Sequence, residues 1–147
     1  MNEIEVKIIN QSDNPLPTYT TQGSSGMDLR AFLANPETLT PMQIRAIPTG
    51  LFVELPIGYE GQVRPRSGLA LKQGLTVLNT PGTIDSDYRG EIKVILINLS
   101  GQLQEIKPGE RIAQLVVQKV DRVQLKLVDE LQKSERGEGG FGHTGKH

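Results

Sequence analysis

Apolar and polar residues alternate along much of this chain with a period of two, the pattern of strands that bury one face. Ile4, Val6 and Ile8 alternate with Glu5 and Lys7, and the turn residues Asn14-Pro15-Leu16-Pro17 close that first segment. Met27, Leu29 and Ala31 share one face of a second strand while Asp28 and Arg30 share the other. Leu51, Val53 and Leu55 alternate with Phe52 and Glu54; Pro56-Ile57-Gly58 ends that strand, and Glu60 to Arg64 is expected as its return. A short helix is expected next, with Ser67 as its N-cap and Gly74 where a terminating glycine belongs.

Past Leu75 and Val77, residues 79–90 hold a Pro-Gly pair, two acids around a serine, and Tyr88. They lead into a strand with Ile92, Val94 and Leu96 on one face and Ile95, Ile97 and Leu99 on the other. This reads as a β-hairpin whose returning strand is buried on both sides, at a sandwich centre or in a subunit contact. Lys107-Pro108-Gly109-Glu110 is a turn and residues 111–117 are the next strand; Val123, Leu125 and Leu127, alternating with Gln124 and Lys126, predict a last one. With no internal repeat and no heptad, the expectation is a single all-β sandwich or barrel-like domain over residues 1–133.

Composition narrows the classes of function. A chain of 147 residues suits one domain, and its 16 basic and 17 acidic residues nearly cancel, so no global field points to nucleic acid or an anionic membrane. The absence of cysteine removes disulfides, thiolate metal sites and cysteine nucleophiles. The start, Met1-Asn2-Glu3-Ile4-Glu5, resembles no signal peptide, and no stretch reaches transmembrane length, so a soluble, cytoplasmic protein is expected. With no Trp and six Phe and Tyr residues together, the core must be aliphatic.

Several polar groups are then candidates for chemistry. Arg66 beside the expected helix start offers an anion seat; an ordinary capped turn is the alternative, and the Arg-Ser-Gly combination tilts the reading towards phosphate. Gln114 is the one uncharged polar residue inside the apolar run 112–117, where it needs a partner or a ligand. Residues 134–147 carry five glycines between Ser134 and Gly145 and no core pattern, a composition that is disordered when free. Glycine-rich backbone can wrap a phosphate, Arg136 and Thr144 add a cation and a hydroxyl, and Phe141 among glycines suits a flat ligand such as a nucleobase. No Gly-Lys-Ser/Thr closes this stretch, so it is not a Walker loop.

Five of these segments, taken in order, resemble the trimeric dUTP diphosphatase (dUTPase) family. They are Gly26-Met27-Asp28-Leu29-Arg30-Ala31, Pro65-Arg66-Ser67-Gly68-Leu69-Ala70, the run from Gly82 to Gly90, Gly109-Glu110-Arg111-Ile112-Ala113-Gln114-Leu115, and the run from Arg136 to Gly145. The resemblance implies a jelly-roll-like β domain with one short helix, assembled as a homotrimer with active sites at subunit junctions, and a tail that closes over substrate. It implies hydrolysis of dUTP to dUMP and pyrophosphate with Mg²⁺. Asp85 then corresponds to the group that activates the attacking water, Tyr88 to the residue under the deoxyribose, and Asn79 to the uracil-reading edge. Arg66, Ser67, Gly68 and Gln114 correspond to phosphate contacts, and Asp28 to an acid near the metal that acts through water. Arg136, Phe141, Gly142, His143 and Thr144 correspond to tail groups over the phosphates and base. Two other readings are a dCTP deaminase of the same fold and a non-catalytic nucleotide-binding module. The first needs a glutamate on the strand after the hairpin, and Lys93-Val94-Ile95-Leu96-Ile97-Asn98 has none; the second is disfavoured by Asp85, Tyr88 and the complete tail.

Overall fold

The structure, a computed structural model, describes residues 3–147. In chain order its strands are β1 (Lys7–Asn10), β2 (Met27–Arg30), β3 (Glu37–Leu39), β4 (Ile44–Pro48), β5 (Leu51–Glu54), β6 (Tyr59–Arg64), β7 (Leu75–Val77), β8 (Gly82–Ile84), β9 (Lys93–Asn98), β10 (Gln104–Ile106) and β11 (Arg111–Lys119). One helix, α1 (Ser67–Gln73), lies between β6 and β7. A four-stranded sheet in the order β2-β11-β6-β8 and a three-stranded sheet in the order β4-β9-β7 carry most of the pairing, with the pairs β1-β5 and β10-β3 beside them. Every pairing is antiparallel. The chain is the expected all-β, jelly-roll-like domain with one short helix.

The core is aliphatic, as the aromatic-poor composition requires. Leu29 and Ala31 from the β2 edge, Val63, Ile84 and Leu115 from the larger sheet, and Ile47, Val94 and Leu96 from the smaller one meet in a single buried cluster. The alternation read along β2 and β5 falls as expected: Leu29, Leu51 and Val53 point inward. β9 is buried on both faces for most of its length, with Val94, Leu96 and Asn98 fully buried and Ile97 nearly so.

Asn98 is a polar group at the end of that strand with no exposure, and its amide is fully used. Its Nδ2 donates to the carbonyls of Leu39 (2.9 Å) and Gln102 (2.8 Å), while its Oδ1 accepts from the Ser100 N–H (2.9 Å) and hydroxyl (2.7 Å). One side chain thus ties β9 to the end of β3 and to the turn before β10.

Three sequence expectations are corrected. Residues 60–64 do form a strand, but β6 does not return along β5: β5 pairs with β1, and β6 with β11 and β8. The turn at Pro56-Ile57-Gly58 carries the chain from one sheet to another, and alternation within each strand is blind to which neighbour it takes. Ser67 is the first helical residue; Arg66, extended at φ −92° and ψ 130°, occupies the N-cap, and no side chain caps α1. Its other end is as expected, with Gly74 left-handed at φ 64° and packed so that a Cβ would lie 2.9 Å from Ser100. The last predicted strand does not form: β11 ends at Lys119, and Val123, Leu125 and Leu127 are 80%, 91% and 99% exposed. Their alternation suits a half-buried strand, but among the described residues no strand edge pairs with them.

Asn98→Ala removes four hydrogen bonds and leaves the buried Leu39 carbonyl without its partner. A loss of roughly 2–4 kcal/mol of folding stability is expected, measured by urea denaturation followed by circular dichroism. An unchanged midpoint would show that the 98–102 network is dispensable.

Candidate active site

The first part of the site is built on the outer face of the larger sheet. Leu29 faces the core, so the neighbouring residue Asp28 faces away from it. Asp28 is paired in register with Gln114 of β11, and Gln114 in turn with Arg64 of β6. The Asp28 carboxylate holds two guanidiniums: Oδ1 accepts from Arg66 Nε at 3.1 Å, and Oδ2 lies 3.6 Å from Arg111 Nη1. Arg66 Nη1 also donates to the Arg111 carbonyl at 3.4 Å. Two cations on one carboxylate leave one positive charge in excess, beside the exposed start of α1 at Ser67 and Gly68. The arrangement suits a multiply charged anion.

The second part lies where β8 of the larger sheet meets β9 of the smaller. A cleft of about 270 Å³ there is lined by Asn79, Gly82, Thr83, Tyr88, Ala46 and Ile95, among others. β7 and β9 make the expected hairpin, with Leu75 opposite Asn98 and Val77 opposite Leu96. The connection between them does more than turn, because its residues 82–84 cross over and pair with β6 as β8. β8 is the last strand of its sheet, so one row of its backbone N–H and C=O groups has no strand partner.

The loop beyond β8 is fixed at several points. Tyr88 N–H donates to the Asp85 carbonyl at 3.1 Å, and the Tyr88 hydroxyl donates to the Glu91 carbonyl at 2.8 Å. The ring covers Gly90 so closely that any Cβ there would overlap it, which is why a glycine follows Arg89. Arg89 donates to the Ser86 carbonyl at 2.7 Å and reaches Glu54 of β5 at 3.4 Å. Glu91 accepts from the Gly50 N–H at 2.9 Å, which ties the loop to the corner between β4 and β5. Asp85 is exposed, and among the described residues its carboxylate has neither a hydrogen bond nor an ion pair.

Asp28, Arg66 and Gln114 therefore come together, as do Asn79 and Tyr88, with Asp85 on the same loop as Tyr88. The two groups do not meet. Asp28 and Gln114 lie on β2 and β11 and Arg66 just follows β6, whereas Asn79 and Tyr88 line the cleft beside β8 at the edge of the sheet. The hydrogen bonds of residues 134–147, among the described residues, stay within the segment; Arg136 Nε, for example, donates to the Gly139 carbonyl at 2.6 Å. Phe141 is fully exposed, and Gly142, His143 and Thr144 lie in the local turns beside it. Arg111, Arg89 and Glu91 were not singled out from sequence. Arg111 stands inside a motif whose neighbour Gln114 was, and its positive charge next to an apolar run was the available signal.

Among the described residues, no three or more His, Asp or Glu side chains converge to hold a metal ion. Asp28 is the carboxylate of the cationic cluster, and it is already shared by two arginines. Such a donor set fits a hydrated divalent cation carried mainly by substrate phosphates, reached by Asp28 through water.

Comparison with known proteins gives one answer. The dUTPase family model matches residues 2–145. The deoxyuridine 5'-triphosphate nucleotidohydrolase of Fusobacterium nucleatum subsp. nucleatum is 54% identical over 146 residues, covering 99% of this chain and 100% of that protein. That of Cytophaga hutchinsonii is 56% identical over 141 residues, covering 96% and 92%. Among solved structures, the Staphylococcus bacteriophage 80alpha dUTPase with dUPNHPP superposes with a TM-score of 0.86 at 27% identity, covering 96% of this chain and 98% of that one. End-to-end relatedness of this kind, with the fold and both polar clusters in hand, places the chain in the dUTPase family.

Proposed function

We propose that this enzyme hydrolyses dUTP to dUMP and pyrophosphate by attack of an Asp85-activated water on the α-phosphate. The observation that carries this reading is the cleft lined by Asn79, Gly82 and Tyr88, beneath the same loop that presents the unpaired Asp85 carboxylate. The free edge of β8 offers alternating N–H and C=O groups, and the hydrogen-bonding edge of uracil is acceptor, donor, acceptor. Cytosine replaces one acceptor with an amino group, so donors would face donors in a desolvated site. The Tyr88 ring, anchored at its hydroxyl by Glu91, forms a fixed wall against which a 2′-hydroxyl would have no room.

Arg66, Ser67, Gly68 and Gln114 hold the phosphates in this reading, with Asp28 orienting Arg66. Mg²⁺ bound to the triphosphate would neutralise charge that develops as pyrophosphate leaves. Asp85 accepts a proton from the water, which needs a carboxylate within hydrogen-bond reach and otherwise unengaged. The tail, with Arg136, Phe141, Gly142, His143 and Thr144, closes over the phosphates and base and excludes water. Because no residue of the cationic cluster lines the cleft, a dUTP bound in the cleft would draw its phosphate contacts from the cluster of a second copy. This supports a homotrimer with composite sites, and the exposed alternation of Val123, Leu125 and Leu127 supports the same assembly. The strand-bearing domain would then comprise residues 1–133 and the closing tail residues 134–147.

Incubation with Mg²⁺ and each of dUTP, UTP, dCTP and dTTP should release pyrophosphate from dUTP alone; comparable release from dCTP would refute the uracil reading. Asp85→Asn should retain affinity for dUpNHpp while kcat falls by roughly a hundredfold or more, and a variant with near-normal turnover would remove Asp85 from its role. Ending the chain after residue 135 should leave the melting temperature unchanged and the activity severely reduced. A fully active truncation would exclude closure by the tail.

A further inference from the structure

The strand β11 contains an irregularity with a chemical consequence. Gln114 is opposite Asp28 and Ala113 opposite Leu29, but the register then shifts, and Arg111 is opposite Arg30. In an unbroken ladder Ile112 would face Arg30, and Arg111 would fall on the core side opposite Ala31. The bulge buries two successive residues, Ile112 at 1% and Ala113 at 0% exposure, and returns Arg111 to the face that carries Asp28. Arg111 and Gln114, three residues apart, can share a strand face only because of it.

We infer that Arg111 is a positioning residue for the triphosphate: it locks the Asp28 carboxylate, and Asp28 in turn aims the Arg66 guanidinium. The inference rests on the reading of this cluster as the phosphate seat. A carboxylate bound at one oxygen keeps a soft rotation about its terminal torsion. Arg66 donates to Oδ1 at 3.1 Å and the half-exposed Arg111 faces Oδ2 as an ion pair at 3.6 Å, which biases that rotation in a side chain only 17% exposed. The Arg66 guanidinium is then held through Nε by Asp28 and through Nη1 by the Arg111 carbonyl, so its remaining N–H groups point in one direction. Two further cations on this face are engaged elsewhere, Arg30 donating to the Gly109 carbonyl at 3.0 Å and Arg64 to the Gln62 amide oxygen at 2.7 Å, and neither substitutes for Arg111.

The test is a double-mutant cycle on the full-length protein with Mg²⁺, reading the Kd for dUpNHpp, inhibition by deoxyuridine, and melting temperature. Arg111→Ala should weaken dUpNHpp by up to about fivefold, the loss expected when a part-exposed ion pair goes, with deoxyuridine inhibition and melting temperature unchanged. In an Asp28→Asn background the same substitution should cost much less, since the two residues act as one unit. Arg111→Lys, which keeps a cation without the fork, should recover part of the affinity. Equal losses in both backgrounds would show that Arg111 acts on the ligand directly, and would overturn the inference. Unchanged dUpNHpp affinity, or parallel losses in deoxyuridine binding and melting temperature, would also overturn it. A wild-type protein that does not bind dUpNHpp would instead refute the phosphate-seat reading itself, and the inference with it.

Discussion

The structure depends on β11 being paired along both edges, to β2 on one side and to β6 on the other. Nine residues long, it is the longest strand, and its inward residues Ile112, Ala113 and Leu115 join the core while Gln114 faces outward. An aliphatic core without tryptophan has little shape of its own to enforce a register. The backbone ladder of β11 therefore sets where Asp28 and Arg64 fall relative to Gln114, and a slip of one residue would bury the polar set and expose the apolar one.

How far the sequence revealed this varied with the physics of each element. β2 and β5 were legible because their burial alternates, β9 and the apolar part of β11 because a continuous apolar run marks a strand buried on both faces, and the end of α1 because Gly74 adopts a conformation that favours glycine. Partner choice was not legible, since β5 and β6 show the same local pattern whether or not they pair. Arg111 escaped notice for a related reason: in a regular strand it and Gln114 point to opposite faces, and only the register shift brings them together. Of the named site residues, Asp28, Arg66 and Gln114 converge, and Asn79 and Tyr88 converge. That these are two clusters depends on the strand order β2-β11-β6-β8, which no motif spacing encodes.

The loop 85–91 shows a division of labour among neighbouring residues. Tyr88 and Arg89 spend their polar groups on the loop's own carbonyls, and Glu91 anchors to Gly50. Asp85 has no such engagement among the described residues. A side chain bonded to its own loop shapes that loop, whereas an unengaged one can meet a ligand. The side chains of Tyr88, Arg89 and Glu91 thus hold the loop's geometry, while the exposed carboxylates of Asp85 and Asp87 are unengaged among the described residues.

The exposed apolar segment after β11 and the split site can be accounted for together. Val123, Leu125 and Leu127 have the alternation of a strand and, among the described residues, no strand edge that pairs with them. The cationic cluster around Asp28 and the cleft beside β8 are each half of a dUTP site by the proposed reading. A monomer would leave apolar side chains in water and both half-sites unused. Association of identical copies through these surfaces would bury the first and complete the second, so one assembly step answers both, and the interface and the active site would be under the same physical constraint.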